Sequence, residues 1–227
     1  MKSEPTKTRE TQYQRSIDLQ KKGLTTLGLM TNQAWHDDPK HLLFTLARYK
    51  FVAKMMAGAK NVLEVGCADA FGTRIVVQEV GKLTAIDFDP LFVQDVNARM
   101  EDRWRFECKT HDMLAGALED RFDGAYALDV IEHIRPEDEM QFVANMVHSL
   151  GDHGVLIFGT PSLQSQVYAS PPSMAGHINC KDAVALRELL SRFFHNVFIF
   201  SMNDEVVHTG YYPMAHYLLG VACSKRS

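Results

Sequence analysis

The sequence predicts an α/β fold: a doubly wound, mostly parallel sheet of seven strands whose last strand runs antiparallel. Short apolar runs alternate with segments of helical periodicity from residue 62 onward, and such chains form parallel sheets with helices on both faces. The last two apolar runs, at 196–202 and 217–224, leave only about 15 residues between them, without helical periodicity. A parallel return needs a longer, usually helical crossover, so these two strands should pair as an antiparallel hairpin.

The N-terminal region is predicted to be helical. Its first thirty or so residues are polar, and a helix is expected over 8–22, ended by Gly23. Residues 41–56 place Leu42 and Leu46 at helical spacing. One face of this second helix should therefore pack on the body of the protein.

The remaining elements follow from the alternation of apolar runs and helical patterns. The predicted strands cover residues 62–65, 83–87, 104–110, 123–128, 154–159, 196–202 and 217–224. The predicted helices cover residues 73–80, 90–101, 137–150 and 181–193. The second of these helices has a clear start, because Asp89 can cap its free amides and Pro90 is tolerated in the first turn.

Composition and cysteine spacing argue against several classes of protein. A net charge of −4 and a pI near 6.2 argue against an electrostatic grip on nucleic acid or on a membrane surface. No apolar stretch is long enough to span a membrane, and no signal-peptide core is present at the N-terminus. The four cysteines lack zinc-site spacing, so we expect reduced thiols in a cytoplasmic protein without a metal centre. They are Cys67, Cys108, Cys180 and Cys223.

The most informative stretch covers residues 62–73, where an apolar run ends in a tight turn of small residues and a helix follows. A second apolar run ends in Asp87, a carboxylate 21 positions after Gly66. A doubly wound sheet holds adenosine-containing cofactors with this spacing: the turn approaches the ligand, and the carboxylate accepts hydrogen bonds from ribose hydroxyls. The two features therefore predict one cofactor site.

Five motifs in order resemble those of the class I S-adenosylmethionine-dependent methyltransferases, over roughly residues 40–225. They read VLEVGCADAFG, LTAIDFDP, THDML, FDGAYALDVIEHI and LGDHGVLIFGTPS. The DVIEHI form is most similar to the small-molecule branch that includes the ubiquinone-biosynthesis O-methyltransferases. The resemblance implies a Rossmann-like methyltransferase fold, S-adenosylmethionine as cofactor, a methyltransferase domain over 58–227 and an N-terminal helical extension or cap over 1–57.

The resemblance also implies a set of cofactor-binding residues. They are Glu64, Gly66, Cys67, Ala68, Asp87, Phe88, Asp112, Met113, Leu128 and Asp129. Asp87 is expected at the ribose, Phe88 and Asp112 at the adenine, and Asp129 beside the sulfonium. Glu64 would order the turn and the amino-acid end of the cofactor, or else bond loop amides.

The turn departs from the family pattern at two positions. The family usually has glycine where this chain has Ala68 and Ala70. Alanine disfavours positive φ, so the cofactor is expected to fit if both positions adopt ordinary φ. Arg48, on the second predicted helix, is expected either to pair with the cofactor carboxylate or to be a solvated charge.

Two histidines are candidate general bases. Asp129, Glu132 and His133 have i, i+3, i+4 spacing, which places them on one face of a helix. His133 could therefore remove a proton from the acceptor, or serve only as scaffold. His177 follows the fifth predicted strand, where a loop should project over the substrate. Its alternatives are a helix start and loop packing.

These features predict a methyltransferase that modifies an oxygen or nitrogen of a small molecule, such as a sugar or natural-product intermediate. Two alternatives remain open. A nicotinamide-dependent oxidoreductase shares the turn and Asp87, but the turn is not G-x-G-x-x-G. A catalytically inactive, methyltransferase-like binding protein is suggested only by Ala68 and Ala70.

Overall fold

A computed structural model describes residues 7–226. Residues 1–6 of the predicted extension and residue 227 of the predicted methyltransferase domain lie outside the described residues. The eight strands are β1 Asn61–Val65, β2 Lys82–Asp87, β3 Glu107–Thr110, β4 Phe122–Leu128, β5 Leu150–Pro161, β6 Phe194–Asn203, β7 Val206–His208 and β8 Tyr217–Lys225. The eight α-helices are α1 Gln14–Gln20, α2 Leu29–Asp37, α3 Lys40–Met55, α4 Thr73–Val77, α5 Pro90–Ala98, α6 Glu139–Ser149, α7 Pro171–Gly176 and α8 Ala183–Ser191.

All eight strands belong to one sheet, in the order β3-β2-β1-β4-β5-β8-β6-β7. The pairs among β1 to β5 are parallel, whereas β8 runs antiparallel to both β5 and β6. The predicted doubly wound class and the predicted hairpin of β6 with β8 are thus confirmed. No helix in the described range 7–226 is long and apolar enough to cross a membrane.

The structure adds an eighth strand to the predicted seven. Strand β7 pairs antiparallel with the end of β6, from Ser201↔His208 to Asn203↔Val206. A two-residue turn connects them, with Asp204 at a φ of 48°, which aspartate tolerates better than most residues. Three residues are too few for an alternating pattern, which is why the sequence did not predict this edge strand.

Two helices were also missed. Helix α2 has a single buried residue, Thr31, so it lacks the apolar stripe that reveals a helix in sequence. Helix α7 follows Ser170, whose side chain accepts from the amide of Ser173, with proline in its first turn. The sequence analysis expects only a loop after the fifth strand, although a serine followed by two prolines is typical of a helix start.

Two apolar layers cover the two faces of the sheet. One layer holds Phe142 of α6, Phe158 of β5 and Phe194 of β6, all buried. The other holds Tyr49 and Val52 of α3, so the prediction that this N-terminal helix packs one face on the body is confirmed. The carboxyl ends of the parallel strands form one edge between these layers, and the candidate site lies there.

Candidate cofactor and acceptor site

The turn after β1 is attached directly to β2. The backbone amides of Gly66 and Cys67 both donate to the carbonyl of Ile86, at 2.8 and 3.0 Å. Gly66 has a φ of 73°, and a Cβ there would lie 2.4 Å from a methyl carbon of Val130. Glycine is therefore required at this position both by its backbone conformation and by the space available.

The two alanines of the turn adopt a conformation that glycine favours. The φ angles are 45° for Ala68 and 50° for Ala70, so the ordinary φ on which the expected cofactor fit was conditional is not adopted at either position. The turn reverses so tightly that the Ala70 amide donates to the carbonyl of Cys67 at 2.7 Å. A left-handed conformation costs a residue with a Cβ about 1–2 kcal/mol, and the surrounding fold imposes it here.

Asp87 ends β2 directly beneath this turn and is buried. Its two carboxylate oxygens accept from the amides of Ala68 and Asp89, each at 2.9 Å. The Asp87 carboxylate is thus already paired with two backbone amides. Each carboxylate oxygen still has a second acceptor position, so hydrogen bonds from two ribose hydroxyls are compatible with the observed ones.

The predicted adenine residues lie beside Asp87. Phe88 is 74% exposed, so its ring is available to a ligand. The His111 amide donates to the carbonyl of Asp87 at 2.9 Å, which brings the start of the THDML segment next to the end of β2. Asp112 is exposed and accepts from the Leu114 amide at 2.8 Å, whereas the Met113 side chain is buried. The adenine roles of these residues stay predictions.

Glu64 faces the other side of the turn and is buried. One carboxylate oxygen accepts from the Tyr49 hydroxyl at 2.9 Å and the other from the Thr73 hydroxyl at 2.6 Å. Its partners are therefore side chains of α3 and α4, not loop amides. Burial raises the pKa of this carboxyl to about 7, and the hydrogen bond from Thr73 offsets only part of the rise.

This raised pKa predicts a pH-dependent stability. Glu64 ionises near pH 4.5 in the unfolded chain and near pH 7 in the folded one, so the folded state retains a proton that the unfolded state has lost. Its contribution is complete below about pH 4.5 and falls by about 3 kcal/mol as the pH rises to about 7. Urea unfolding at several pH values should show this fall in the wild type and a flatter curve for Glu64→Gln.

The exposed Glu79 provides the matched control for this experiment. Glu79→Gln should leave the pH dependence of the unfolding free energy as in the wild type. Because other buried carboxyls add a slope of the same sign, the quantity to compare is the difference between each variant and the wild type. A Glu64→Gln curve parallel to that of the wild type would show that folding does not raise the pKa of Glu64, which contradicts the prediction.

Arg48 of α3 crosses to the end of β4. Its guanidinium donates to both carboxylate oxygens of Asp129, at 2.8 and 2.7 Å, and lies 3.8 Å from the ring centroid of Tyr217. The Arg48 side chain is only 13% exposed, so its interpretation as a solvated charge is wrong. Asp129, which follows the buried Leu128, is thus paired with the Arg48 cation.

The DVIEHI segment does not form the predicted α-helical face. Asp129 has a φ of 56°, and a short 3₁₀-helix, Ile131–His133, follows it. Glu132 is fully buried, whereas His133 is exposed. The Glu132 carboxylate accepts from the Thr160 hydroxyl of β5 at 3.1 Å. Burial, followed by the nearby Asp129 charge, raises the pKa of Glu132 to about 8.

The structure brings the two candidate bases together. The His133 Nδ1 donates to the carbonyl of Gly176 at 2.9 Å, and the Asn179 amide donates to the carbonyl of Glu132 at the same distance. These two hydrogen bonds fasten the loop after β5 to the 3₁₀-helix. A Cβ at Gly176 would lie 3.3 Å from the His133 ring, so glycine permits this close approach. The ring centroids of His133 and His177 are 5.2 Å apart.

His177 is the half-buried member of the pair. Its Nδ1 donates to the side-chain oxygen of Gln166 at 2.9 Å, which leaves Nε2 with a free lone pair in the neutral ring. Burial, together with the neighbouring His133, lowers its pKa. A neutral imidazole at neutral pH suits a general base.

The loop before β8 contributes little to this histidine pair. The ring nitrogens of His208 bond Asn203 and the Gly210 amide, both at 2.9 Å, so this histidine closes its own hairpin. Tyr211 is 73% exposed, and Tyr212 packs against the core.

Asp69 is a buried residue of the turn that the sequence did not single out. Its carboxylate accepts from the amide and the hydroxyl of Thr31, at 2.6 and 3.2 Å, and so caps the first turn of α2. The N-terminal helix α2 is thereby attached to the predicted cofactor turn. An aspartate inside a small-residue turn was the available signal, but its partner lies 38 residues away.

Comparisons with known proteins agree with this architecture. Residues 62–154 match a family model described as a methyltransferase domain. A probable S-adenosylmethionine-dependent methyltransferase of Mycolicibacterium smegmatis (strain ATCC 700084 / mc(2)155) is 29% identical over 147 residues. This alignment covers 63% of the chain and 54% of that protein, so the chain spans about half the length of this curated relative.

Solved structures share the fold. The N-methyltransferase NodS from Bradyrhizobium japonicum WM9, in complex with S-adenosyl-L-homocysteine, is 19% identical with a TM-score of 0.59, over 84% of this chain and 90% of that one. The methyltransferase domain of bacterial CtHen1-C is 13% identical with a TM-score of 0.65, over 79% and 98%.

The match over residues 62–154, the relative and the shared fold support the predicted resemblance to the class I S-adenosylmethionine-dependent methyltransferases. The cofactor of that class is S-adenosylmethionine.

Proposed function

We propose that the chain transfers the methyl group of S-adenosylmethionine to a hydroxyl oxygen, or an amine nitrogen, of a small-molecule metabolite such as a sugar or natural-product intermediate. The observation that carries this proposal is the meeting of His133 and His177, 5.2 Å apart, at the sheet edge that also holds Asp87. Bases and a ribose-binding carboxylate at one edge suit methyl transfer from an adenosyl cofactor.

The residues present fit this cofactor. Asp87 has acceptor capacity left for ribose hydroxyls, and the Phe88 ring is exposed beside it. Glu64 and Asp129 end neighbouring strands β1 and β4, where the amino-acid end of the cofactor would lie. S-adenosylmethionine supplies an activated methyl group when bound, and these side chains would fix its orientation.

The chain's own chemical contribution is to position the acceptor and to remove its proton. The Nε2 atom of His177 would accept the hydroxyl proton while the oxygen forms the new bond to the methyl carbon. S-adenosylmethionine would supply the methyl group and keep the electron pair of the carbon–sulfur bond on sulfur, so charge and atoms would balance. An amine acceptor would need no base if it arrives neutral, and positioning supplies much of the rate in either case.

The surroundings of the histidine pair favour a small acceptor. The loop after β5, which carries His177, also holds the exposed side chains of Tyr168 and Met174. Such side chains suit a sugar ring or another compact metabolite. The net charge of −4 supports the proposal that nucleic acid is not the acceptor. Free cysteines support a reducing, cytoplasmic setting.

We also propose that the N-terminal extension over 1–57 serves the cofactor site of the domain over 58–227. In its described part, α2 is attached to the turn through Asp69, and α3 supplies Arg48 and Tyr49 to the site. The extension would thus cap the cofactor and hold the residues that contact its amino-acid end.

Calorimetric titration with S-adenosyl-L-homocysteine tests the proposed cofactor. We expect saturable binding with one molecule per chain. Thermal-shift measurements with the same ligand, NADH and NADPH separate the oxidoreductase alternative, because a ligand that binds the native state raises the melting temperature. A shift with nicotinamide nucleotides alone, or no binding of S-adenosyl-L-homocysteine at millimolar concentration, would overturn the proposal.

A further inference from the structure

The ends of β4 and β5 carry a group of side chains beyond a simple acid–base pair. We infer that Glu132, His133 and His177 bind a divalent transition-metal ion. Each offers one ligand atom, and these three atoms all lie within 4.8 Å of one another. One carboxylate oxygen and two imidazole nitrogens form a donor set that suits first-row ions such as Mn²⁺, Co²⁺ and Zn²⁺.

The separation of these atoms is compatible with one ion. Ligands bound at about 2.1 Å around a tetrahedral ion lie about 3.4 Å apart, so the three atoms must close by up to about 1.4 Å. Rotation of the two rings can provide this closure, since His133 is exposed and His177 is only half-buried.

Both rings are oriented as metal ligands usually are. The Nδ1–H of His133 donates to the Gly176 carbonyl, and that of His177 donates to Gln166, each at 2.9 Å. A histidine ligand commonly donates its second ring N–H to a carbonyl or carboxylate, which fixes the tautomer and the ring plane. The remaining lone pair of each ring is therefore on Nε2.

The environment of the Glu132 carboxylate independently indicates a cation site. Its side chain is fully buried, and one carboxylate oxygen accepts from Thr160. The other oxygen, Oε1, is buried and has no hydrogen-bond partner within residues 7–226. Leaving a buried polar atom unsatisfied is unfavourable. Arg48, whose charge acts on Glu132, is already paired with Asp129, so a bound ion would satisfy Oε1.

The sequence predicts no metal centre. Asp129, which shares a regular spacing with Glu132 and His133, is not part of this site, because the structure pairs it with Arg48. The third ligand, His177, comes from a loop 44 positions after His133. Because the three residues follow no short-range spacing, no sequence motif reveals them.

Three protein ligands leave coordination positions open for water or for an acceptor oxygen, as in catalytic metal sites. An ion there would lower the pKa of a bound hydroxyl and hold it in place. With both Nε2 atoms occupied, the ion would replace His177 as the group that activates the acceptor, and the proton would leave to solvent. This catalytic role rests on the proposed function, whereas binding of the ion does not.

The test uses Co²⁺ as the probe, with the full chain first dialysed against a chelator. Calorimetry and the visible absorption of Co²⁺ should report one ion per chain with nitrogen and oxygen ligands. His133→Ala and His177→Ala should each weaken Co²⁺ binding by more than about 10-fold, because each removes a direct ligand. His153→Ala, at an exposed histidine elsewhere, should bind Co²⁺ like the wild type.

Glu132→Gln should also weaken Co²⁺ binding, but it alters a fully buried side chain and should therefore also reduce stability. The two histidine variants therefore carry the test. Absence of Co²⁺ binding at millimolar concentration, or unchanged affinity in both histidine variants, would overturn the inference. The same samples are titrated with S-adenosyl-L-homocysteine. If the wild type binds S-adenosyl-L-homocysteine but not Co²⁺, the metal site is contradicted. If the wild type binds Co²⁺ but not S-adenosyl-L-homocysteine, the proposed function is contradicted.

Discussion

Replacing Asp87 with alanine should abolish measurable binding of S-adenosyl-L-homocysteine. In the proposed complex the Asp87 carboxylate accepts from two ribose hydroxyls, and a hydrogen bond to a charged group contributes about 1.5–3 kcal/mol. Loss of both therefore weakens binding by roughly 10²–10⁴-fold. Calorimetric titration of the variant and the wild type measures this difference.

Asp89 supplies a control two positions away. It caps α5 by accepting from the Leu91 amide at 2.8 Å, so Asp89→Ala should cost about 1 kcal/mol of stability and leave the cofactor affinity unchanged. Asp87 also accepts from the turn amide of Ala68, so the thermal midpoint of Asp87→Ala must be recorded as well. An unchanged dissociation constant in a folded Asp87→Ala protein would remove this residue from the ribose site.

Replacing His177 with alanine should lower turnover by roughly 10²–10⁴-fold with a hydroxyl acceptor, the usual contribution of general acid–base catalysis. The affinity for S-adenosyl-L-homocysteine should stay near that of the wild type, because the ring lies on the acceptor side of the site. Single-turnover rates, with an acceptor found by screening hydroxylated metabolites, measure the change.

His133→Ala is the informative comparison. It removes the hydrogen bond to Gly176 that fastens the loop after β5, so it should reduce stability as well as rate. If His177→Ala retains full activity, the base is His133 or the acceptor needs none. In the second case activity should rise with pH through the pKa of an amine acceptor in both variants.

The architecture was largely readable from the sequence, because alternation of apolar runs and helical patterns reports which faces are buried. The spacing of Gly66 and Asp87 likewise predicted that the turn after β1 and the end of β2 lie together, as the structure shows. Short elements were not predicted: β7 has only three residues, and α2 buries only Thr31. Neither leaves enough apolar side chains to produce a periodic pattern.

The acceptor side was less predictable because its contacts are distant in sequence. His133 and His177 were each proposed alone, but their proximity depends on two hydrogen bonds across the loop after β5. Arg48 illustrates the same limit. Helical spacing gave no indication that it reaches Asp129, 81 positions away, and stacks on Tyr217.

The left-handed alanines of the cofactor turn affect how freely that turn moves before a ligand arrives. Glycine at positions 68 and 70 would relieve the strain of positive φ, but it would also open many more backbone conformations to the turn. The methyl groups of Ala68 and Ala70 remove most of those conformations. The entropy lost on ordering the turn is therefore lost largely during folding rather than during ligand binding. In this sense the two departures from the family pattern make the turn a preorganised receptor.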